Sequence, residues 1–115
     1  MKIKAANTVG GPWHPAIEHA ANVIDRVWRK HVSQHPRVTG LGEEGHSERS
    51  KHYGDVGDVR VRAIDIDADR ERITADQQMK VDAELRERLG TEYDIIWEYM
   101  ETVRAHLHVE WDPKP

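Results

Sequence analysis

Residues 105–111, AHLHVEW, decide how the fold of this chain is interpreted. Side chains of a β-strand alternate between the two faces of a sheet, so His106, His108 and Glu110 would share one face of this segment. The residues between them, together with the final tryptophan, are apolar and would share the other face. The stretch therefore predicts a strand that packs one face against a hydrophobic core and carries a row of ionisable groups on the other.

The segments before this strand predict two helices and further strands. Apolar residues recur at three- and four-residue spacing after Pro15, which predicts a helix beginning there. Residues 74–89 predict a second helix, with Thr74 as its N-cap and Gly90 as its C-terminal stop. The buried stripes of the two helices are predicted to be Ile17, Ala20, Ile24 and Trp28, and Val81, Leu85 and Leu89. Strands are predicted at residues 37–39, 59–66 and 93–97. This order predicts an α+β fold, with a small antiparallel sheet packed by two helices.

Composition limits the function classes open to the chain. Its 115 residues fit one domain, so we expect residues 1–115 to form a single domain, and a monomer. Because there is no Cys, disulfides and thiolate metal sites are excluded. The chain has no apolar run of about 20 residues and no signal-peptide pattern, so no membrane partner is expected. The net charge of −4 argues against nucleic acid as a partner.

The chain contains eight histidines, and histidine is both the commonest side-chain metal ligand and a general acid or base. His106 and His108 on one strand face suit a metal ligand with an acid–base group beside it, although two surface histidines are the alternative. His52 lies in a polar loop. Asp65 interrupts an apolar strand end, where a buried carboxylate needs a partner, and its alternative role is that of a strand-end turn residue. Two imidazoles and one carboxylate leave the fourth tetrahedral position to water, as in catalytic zinc sites.

Three short motifs in this order resemble those of known zinc peptidases. The motifs are Ser50-x-His52, Ala63-x-Asp65 and His106-x-His108. They are similar to those of the peptidases related to lysostaphin, D-Ala-D-Ala carboxypeptidases and hedgehog domains, and closest to the small phage-type peptidoglycan hydrolases. The resemblance covers residues 38–113, about two-thirds of the chain.

The resemblance implies roles for individual residues. It implies that Zn²⁺ is bound by His52, Asp65 and His108, with His106 orienting or protonating the reacting groups. The family's carboxylate base has no clean match, because position 105 is alanine, and Glu98 and Glu110 are the candidates. Candidate substrate-binding residues are Ser50, His46 and Arg62. His46 is equally compatible with a plain loop histidine, and Arg62 with a solvated strand face rather than a grip on a peptide carboxylate.

One feature departs from the family pattern. The ligands His52 and Asp65 are further apart than in the family, and residues 54–59 resemble an insertion that forms a glycine-hinged loop beside the metal. Asp58 within it is a rival ligand at nearly the usual spacing. It lacks the Ala-x-Asp-Ile context, so Asp65 is preferred.

The expected function is therefore a zinc-dependent peptidase acting on peptidoglycan stem peptides, as a D-Ala-D-Ala carboxypeptidase or an endolysin-type endopeptidase. The alternative is a non-catalytic phage structural or accessory domain that retains the metal site. A hydrolase of the same fold that acts on another amide is a third possibility. If the chain is phage-encoded, it would be made in the host cytoplasm and act on the cell wall.

Overall fold

The computed structural model describes residues 2–3, 13–41 and 62–113. Its elements are β1 (Lys2–Ile3), α1 (Pro15–Val32), β2 (Arg37–Gly40), β3 (Ala63–Asp67), α2 (Ala75–Leu89), β4 (Tyr93–Glu98) and β5 (His106–Trp111). The strands form one sheet in the order β1-β2-β3-β5-β4. Neighbouring strands are antiparallel except β1, which runs parallel to β2. The predicted α+β class, a small antiparallel sheet packed by two helices, is confirmed.

Both helices bury the stripes that their sequences predict. In α1, Ile17, Ala20 and Ile24 are completely buried, and in α2 the same holds for Val81 and Leu85. These residues join the strands in a single hydrophobic cluster, so both helices pack against one face of the sheet. Within the described ranges, neither helix combines the length and the apolar character needed to cross a membrane.

The two helices begin with different caps. The Thr74 hydroxyl accepts a hydrogen bond from the Gln77 backbone N–H, and the Gln77 side chain accepts one from the Thr74 N–H, which forms a capping box. At the start of α1, Nδ1 of His14 accepts a hydrogen bond from the backbone N–H of Ala16 at 3.0 Å. The His14 ring also stacks on Trp111, with 4.2 Å between ring centroids. The Thr74 cap agrees with the prediction from the sequence, and the structure adds the cap at His14.

An ion cluster on the surface joins α1 to α2. The Glu84 carboxylate lies 2.9 Å from Nζ of Lys30, 2.9 Å from Nε2 of His31 and 2.6 Å from Nε of Arg88. Hydrogen bonds from Lys30 and His31, and then from Arg88, lower the pKa of Glu84 to about 2 against the opposing effect of burial. Glu84 therefore stays charged at neutral pH and holds cationic groups of both helices together.

The register of β3 and β5 gives the sheet two different faces. Asp65 pairs with His108, and Ile66 pairs with Leu107. Because side chains alternate, Ile66 and Leu107 point to the helices while Asp65 and His108 point to the other side. This second side, called the polar face below, carries Asp65, Asp67, Asp94, Glu98, His106, His108 and Glu110. The predicted division of β5 into a core face and an ionisable face agrees with the burial of Leu107 and Val109.

The packing of α1 generates a stability prediction. Ile24→Ala removes a fully buried side chain without lowering helix propensity, so we expect the free energy of unfolding to fall by about 2–5 kcal/mol. Met79→Ala on α2, where the side chain is 71% exposed, is the control and should change it by less than about 0.5 kcal/mol. Urea unfolding followed by tryptophan fluorescence measures both. Equal effects of the two substitutions would contradict the placement of α1 against the core.

Candidate metal centre

Asp65 and His108 meet at the centre of the polar face. They lie directly opposite each other on neighbouring strands, and Nδ1 of His108 is 2.7 Å from Oδ1 of Asp65. Both side chains are largely buried, with exposed fractions of 11% for His108 and 18% for Asp65. The fold thus brings together two of the three residues predicted as metal ligands, although they are 43 positions apart in the sequence.

The other ring nitrogen of His108 contacts a second carboxylate. Nε2 lies 3.0 Å from Oε1 of Glu110, which is two residues further along β5 and on the same face. Burial lowers the pKa of His108, but hydrogen bonds to Asp65 and Glu110, and the charges of both carboxylates, outweigh it and raise the pKa to about 10. Without a metal, His108 is therefore an imidazolium that donates one hydrogen bond to each carboxylate.

His106 lies beside this pair and has its own partners. Its Nε2 is 3.1 Å from Oε1 of Glu98, and its Nδ1 is 2.9 Å from the carbonyl oxygen of Arg104. A carbonyl and a carboxylate both accept hydrogen bonds, so both contacts are hydrogen bonds only when each ring nitrogen carries a proton. Glu98 and Glu110, the two candidate bases, are thus each engaged with a histidine of β5.

The described residues of the polar face fit part of a zinc site. Asp65 and His108 offer one oxygen and one nitrogen donor, aimed at each other from adjacent strands. Two atoms bound to the same tetrahedral zinc lie about 3.3 Å apart. Nδ1 of His108 and Oδ1 of Asp65 are 2.7 Å apart, so a small side-chain movement would let both bind one zinc ion. Glu110 occupies the position of the carboxylate that commonly orients a ligating histidine through its second nitrogen.

Several predicted site residues lie outside the described ranges. These are His46, Ser50, His52 and Asp58, together with the insertion at residues 54–59. The third predicted ligand and two of the predicted substrate contacts therefore stay predictions.

Arg62, the remaining predicted substrate contact, lies at the end of the sheet and is 8% exposed. Its guanidinium carbon is 4.9 Å from the centroid of the Trp111 ring. Ala63 and Asp65 lie two residues apart and share one side of the sheet. Arg62 directly precedes Ala63, so by alternation its side chain lies on the other side. Arg62 is thus placed against the helix side of the sheet rather than on the polar face.

A group of three carboxylates at the end of the polar face was not expected from the sequence. Asp94, Glu110 and Asp112 each bring one oxygen to within 4.8 Å of the others. Asp94 faces Glu110 across the β4–β5 pair, and Asp112 follows β5. Three oxygen donors suit a hard cation better than zinc. Acidic groups of this kind are common at protein surfaces. The period-two pattern of β5, combined with the β4–β5 register, is the signal that would have revealed this group.

Two clefts of the described surface bear on the site. The larger, of about 660 Å³, lies between α1 and α2 around Glu84, where Lys30, His31 and Arg88 already contact that carboxylate. The smaller, of about 240 Å³, borders His106 on the polar face. Of these two, the smaller adjoins the candidate metal centre.

Comparisons with known protein families, curated proteins and solved structures give no match. The resemblance to zinc peptidases therefore rests on the residues of the three motifs themselves.

The protonated state of His108 generates a pH prediction for the chelator-treated protein. The pKa of about 10 in the folded chain is higher than the value of about 6.5 for an unperturbed histidine, so the folded state binds this proton more tightly than the unfolded state. The resulting stabilisation is complete below about pH 6.5 and is lost as the pH rises through about 10.

Urea unfolding of wild type and His108→Gln across this range measures the effect. The wild type should lose more stability between neutral pH and about pH 10 than the variant does. Identical pH profiles for the two proteins would show that His108 carries no such proton.

Proposed function

We propose that this protein is a zinc-dependent peptidase that hydrolyses amide bonds in the stem peptides of peptidoglycan. The observation that supports it most is the 2.7 Å contact between Asp65 and His108 on the polar face, with His106 on the same strand face. These are the residues that the motif resemblance marks as two ligands and the assisting histidine. His52 is proposed as the third ligand, which would leave one coordination position for water or substrate.

Zinc bound there would supply the chemistry of amide hydrolysis, by lowering the pKa of a water molecule and polarising the scissile carbonyl. The contribution of the chain itself is to hold donors and move protons. Asp65 and His108 are positioned by the β3–β5 pairing, and Glu110 fixes the ring orientation of His108 through Nε2. The low exposure of these side chains limits competition from bulk water and strengthens the electrostatic interactions at the site.

Proton transfer is assigned to His106. Its two ring nitrogens face Glu98 and the Arg104 carbonyl, so the ring is held in one orientation about two strand positions from His108. In its protonated form it can give a proton to the leaving amine, and Glu98 stabilises the charged ring. Glu98 thus acts through His106 rather than as an independent base.

A second function is favoured by one specific observation. Both candidate bases, Glu98 and Glu110, are engaged with histidines, so among the described residues neither of these two carboxylates stands free to activate a nucleophile. This is compatible with a non-catalytic phage structural or accessory domain in which the metal only stabilises the fold. The two functions differ in what His106 does.

Metal analysis combined with a cell-wall assay tests the proposal. Purified protein should contain about one zinc per chain, and Asp65→Ala and His108→Ala should lose it, because each removes a ligand. His106→Ala should retain zinc and lose hydrolysis of purified cell wall by about 100-fold or more. A folded wild type that stays metal-free after zinc is added would refute the ligand assignment. Zinc binding without any wall hydrolysis would favour the structural alternative.

The role of Glu110 has its own test. Glu110→Gln keeps the size of the side chain but removes the charge that orients His108, so the Kd for zinc should rise about 10- to 100-fold. Glu98→Gln is the matched control, because Glu98 contacts His106 instead of His108, and its Kd for zinc should be unchanged. Competition with a fluorescent zinc chelator measures both. Equal Kd values in the two variants would remove Glu110 from the metal centre.

A further inference from the structure

Strand β4 forms one edge of the described sheet. It pairs with β5 on one side and with no described strand on the other. A free edge carries backbone N–H and C=O groups that another strand can pair with, so proteins usually shield it with lysine, proline, a bulge or a very short strand. The sequence of β4, YDIIWE, contains neither lysine nor proline, and its register with β5 is unbroken. The strand itself therefore shields its edge only through two acids, Asp94 and Glu98.

The backbone groups that face this edge belong to every second residue of β4. The Ile95 carbonyl oxygen accepts a hydrogen bond from Nη2 of Arg86 on α2, at 2.8 Å, so it points away from β5. The Glu92 carbonyl oxygen instead accepts a hydrogen bond from the Asp112 backbone N–H at the end of β5. Backbone groups alternate in direction along an antiparallel strand, so Ile95 and the residues two positions on either side of it present theirs at the edge.

Two side chains of α2 close the centre of this edge. Nε of Arg86 donates to both carboxylate oxygens of Asp82, at 3.1 and 3.0 Å. Oδ1 of Asp82 also accepts a hydrogen bond from Nε1 of Trp97 at 2.9 Å. Arg86 is thus aimed at the Ile95 carbonyl by a carboxylate that is itself bonded to the edge strand. Asp82 and Arg86 together are called the edge latch below.

Charge limits the registers that two copies of β4 can adopt at this edge. An antiparallel pair centred on Asp94 sets that carboxylate opposite its own copy. A pair centred on Ile96 sets Asp94 opposite Glu98 at two places. Like charges that lie directly opposite each other destabilise a strand pair, so both registers are disfavoured.

The register centred on Ile95 brings no two acids of β4 opposite each other. Tyr93 then lies opposite Trp97, and aromatic cross-strand pairs stabilise sheets. Asp94 lies opposite Ile96, whose side chain is 47% exposed. The central pair exchanges two hydrogen bonds between Ile95 and its own copy. The carbonyl that these bonds require is the one that the edge latch occupies.

We propose that the β4 edge is a self-pairing surface for a second copy of this chain, in the antiparallel register centred on Ile95, and that the edge latch keeps it closed. Opening the latch frees the central carbonyl and lets the two sheets join. The two-fold axis stands perpendicular to the joined sheet, so both polar faces lie on the same side of the dimer. This inference is independent of the proposed peptidase function.

Removal of the Arg86 donors tests the edge latch. Arg86→Met keeps the aliphatic stem and Arg86→Ala keeps the helix propensity, but both lose the hydrogen bond to Ile95. Each should dimerise with an apparent Kd about tenfold or more below that of wild type in sedimentation equilibrium. Arg88→Met is the matched control and should behave as wild type, because Arg88 pairs with Glu84 instead. If both Arg86 variants are folded in urea titrations and associate no more tightly than wild type, the proposal is overturned.

Substitutions at Ile96 test the register. In the proposed pair Ile96 lies opposite Asp94 of the second copy. In the Arg86→Met background, Ile96→Lys should therefore lower the Kd of the dimer and Ile96→Glu should raise it, each by about threefold or more. The Ile95 amide, which faces the edge, should exchange with solvent more slowly in the Arg86→Met dimer than in the monomeric control. Equal Kd values for the two Ile96 variants, or a dimer whose Ile95 amide gains no protection, would overturn pairing through β4.

Discussion

The pairing of β3 with β5 is the constraint on which both the core and the candidate site depend. Their register puts Ile66 beside Leu107 on one side and Asp65 beside His108 on the other. Side chains alternate with a period of two, so a slip of one residue would turn the carboxylate and imidazole into the core and the aliphatic side chains outward. Burial of Ile66 and Leu107 therefore also determines that Asp65 lies next to His108. The hydrophobic energy that stabilises the domain also sets the geometry of the site.

At the centre of the polar face, a proton and a metal ion compete for the same atoms. His108 lies between Asp65 and Glu110, and these two carboxylates stabilise a positive charge there. In the metal-free protein that charge is the proton on the His108 ring. Zinc ligation requires a neutral imidazole, so zinc binding releases this proton. Metal uptake at this site should consequently weaken as the solution becomes more acidic.

Local sequence patterns were enough for most of the fold. Helix α1 follows from the spacing of Ile17, Ala20 and Ile24, and α2 from its N-cap Thr74 and its stop at Gly90, because these signals act within one element. The faces of β5 followed from simple alternation. The short parallel strand β1 was not predicted, since two residues carry no periodicity and their pairing depends on a distant partner.

The candidate site was only partly predictable from the sequence. Asp65 and His108 stood out as ionisable residues in strands, and the fold places them together. The pairing of Asp65 with His108, and the position of Asp94 opposite Glu110, depend on strand order and register, which no local pattern contains.

The way α1 begins has a consequence of its own. Nδ1 of His14 can accept the hydrogen bond from Ala16 only while that nitrogen carries no proton, whereas the Thr74 hydroxyl caps α2 at any pH. The same His14 ring stacks on Trp111 at the end of β5. Protonation of Nδ1 would therefore remove the cap of α1 at the point where this helix touches the strand that carries both site histidines, while the Thr74 cap of α2 would remain.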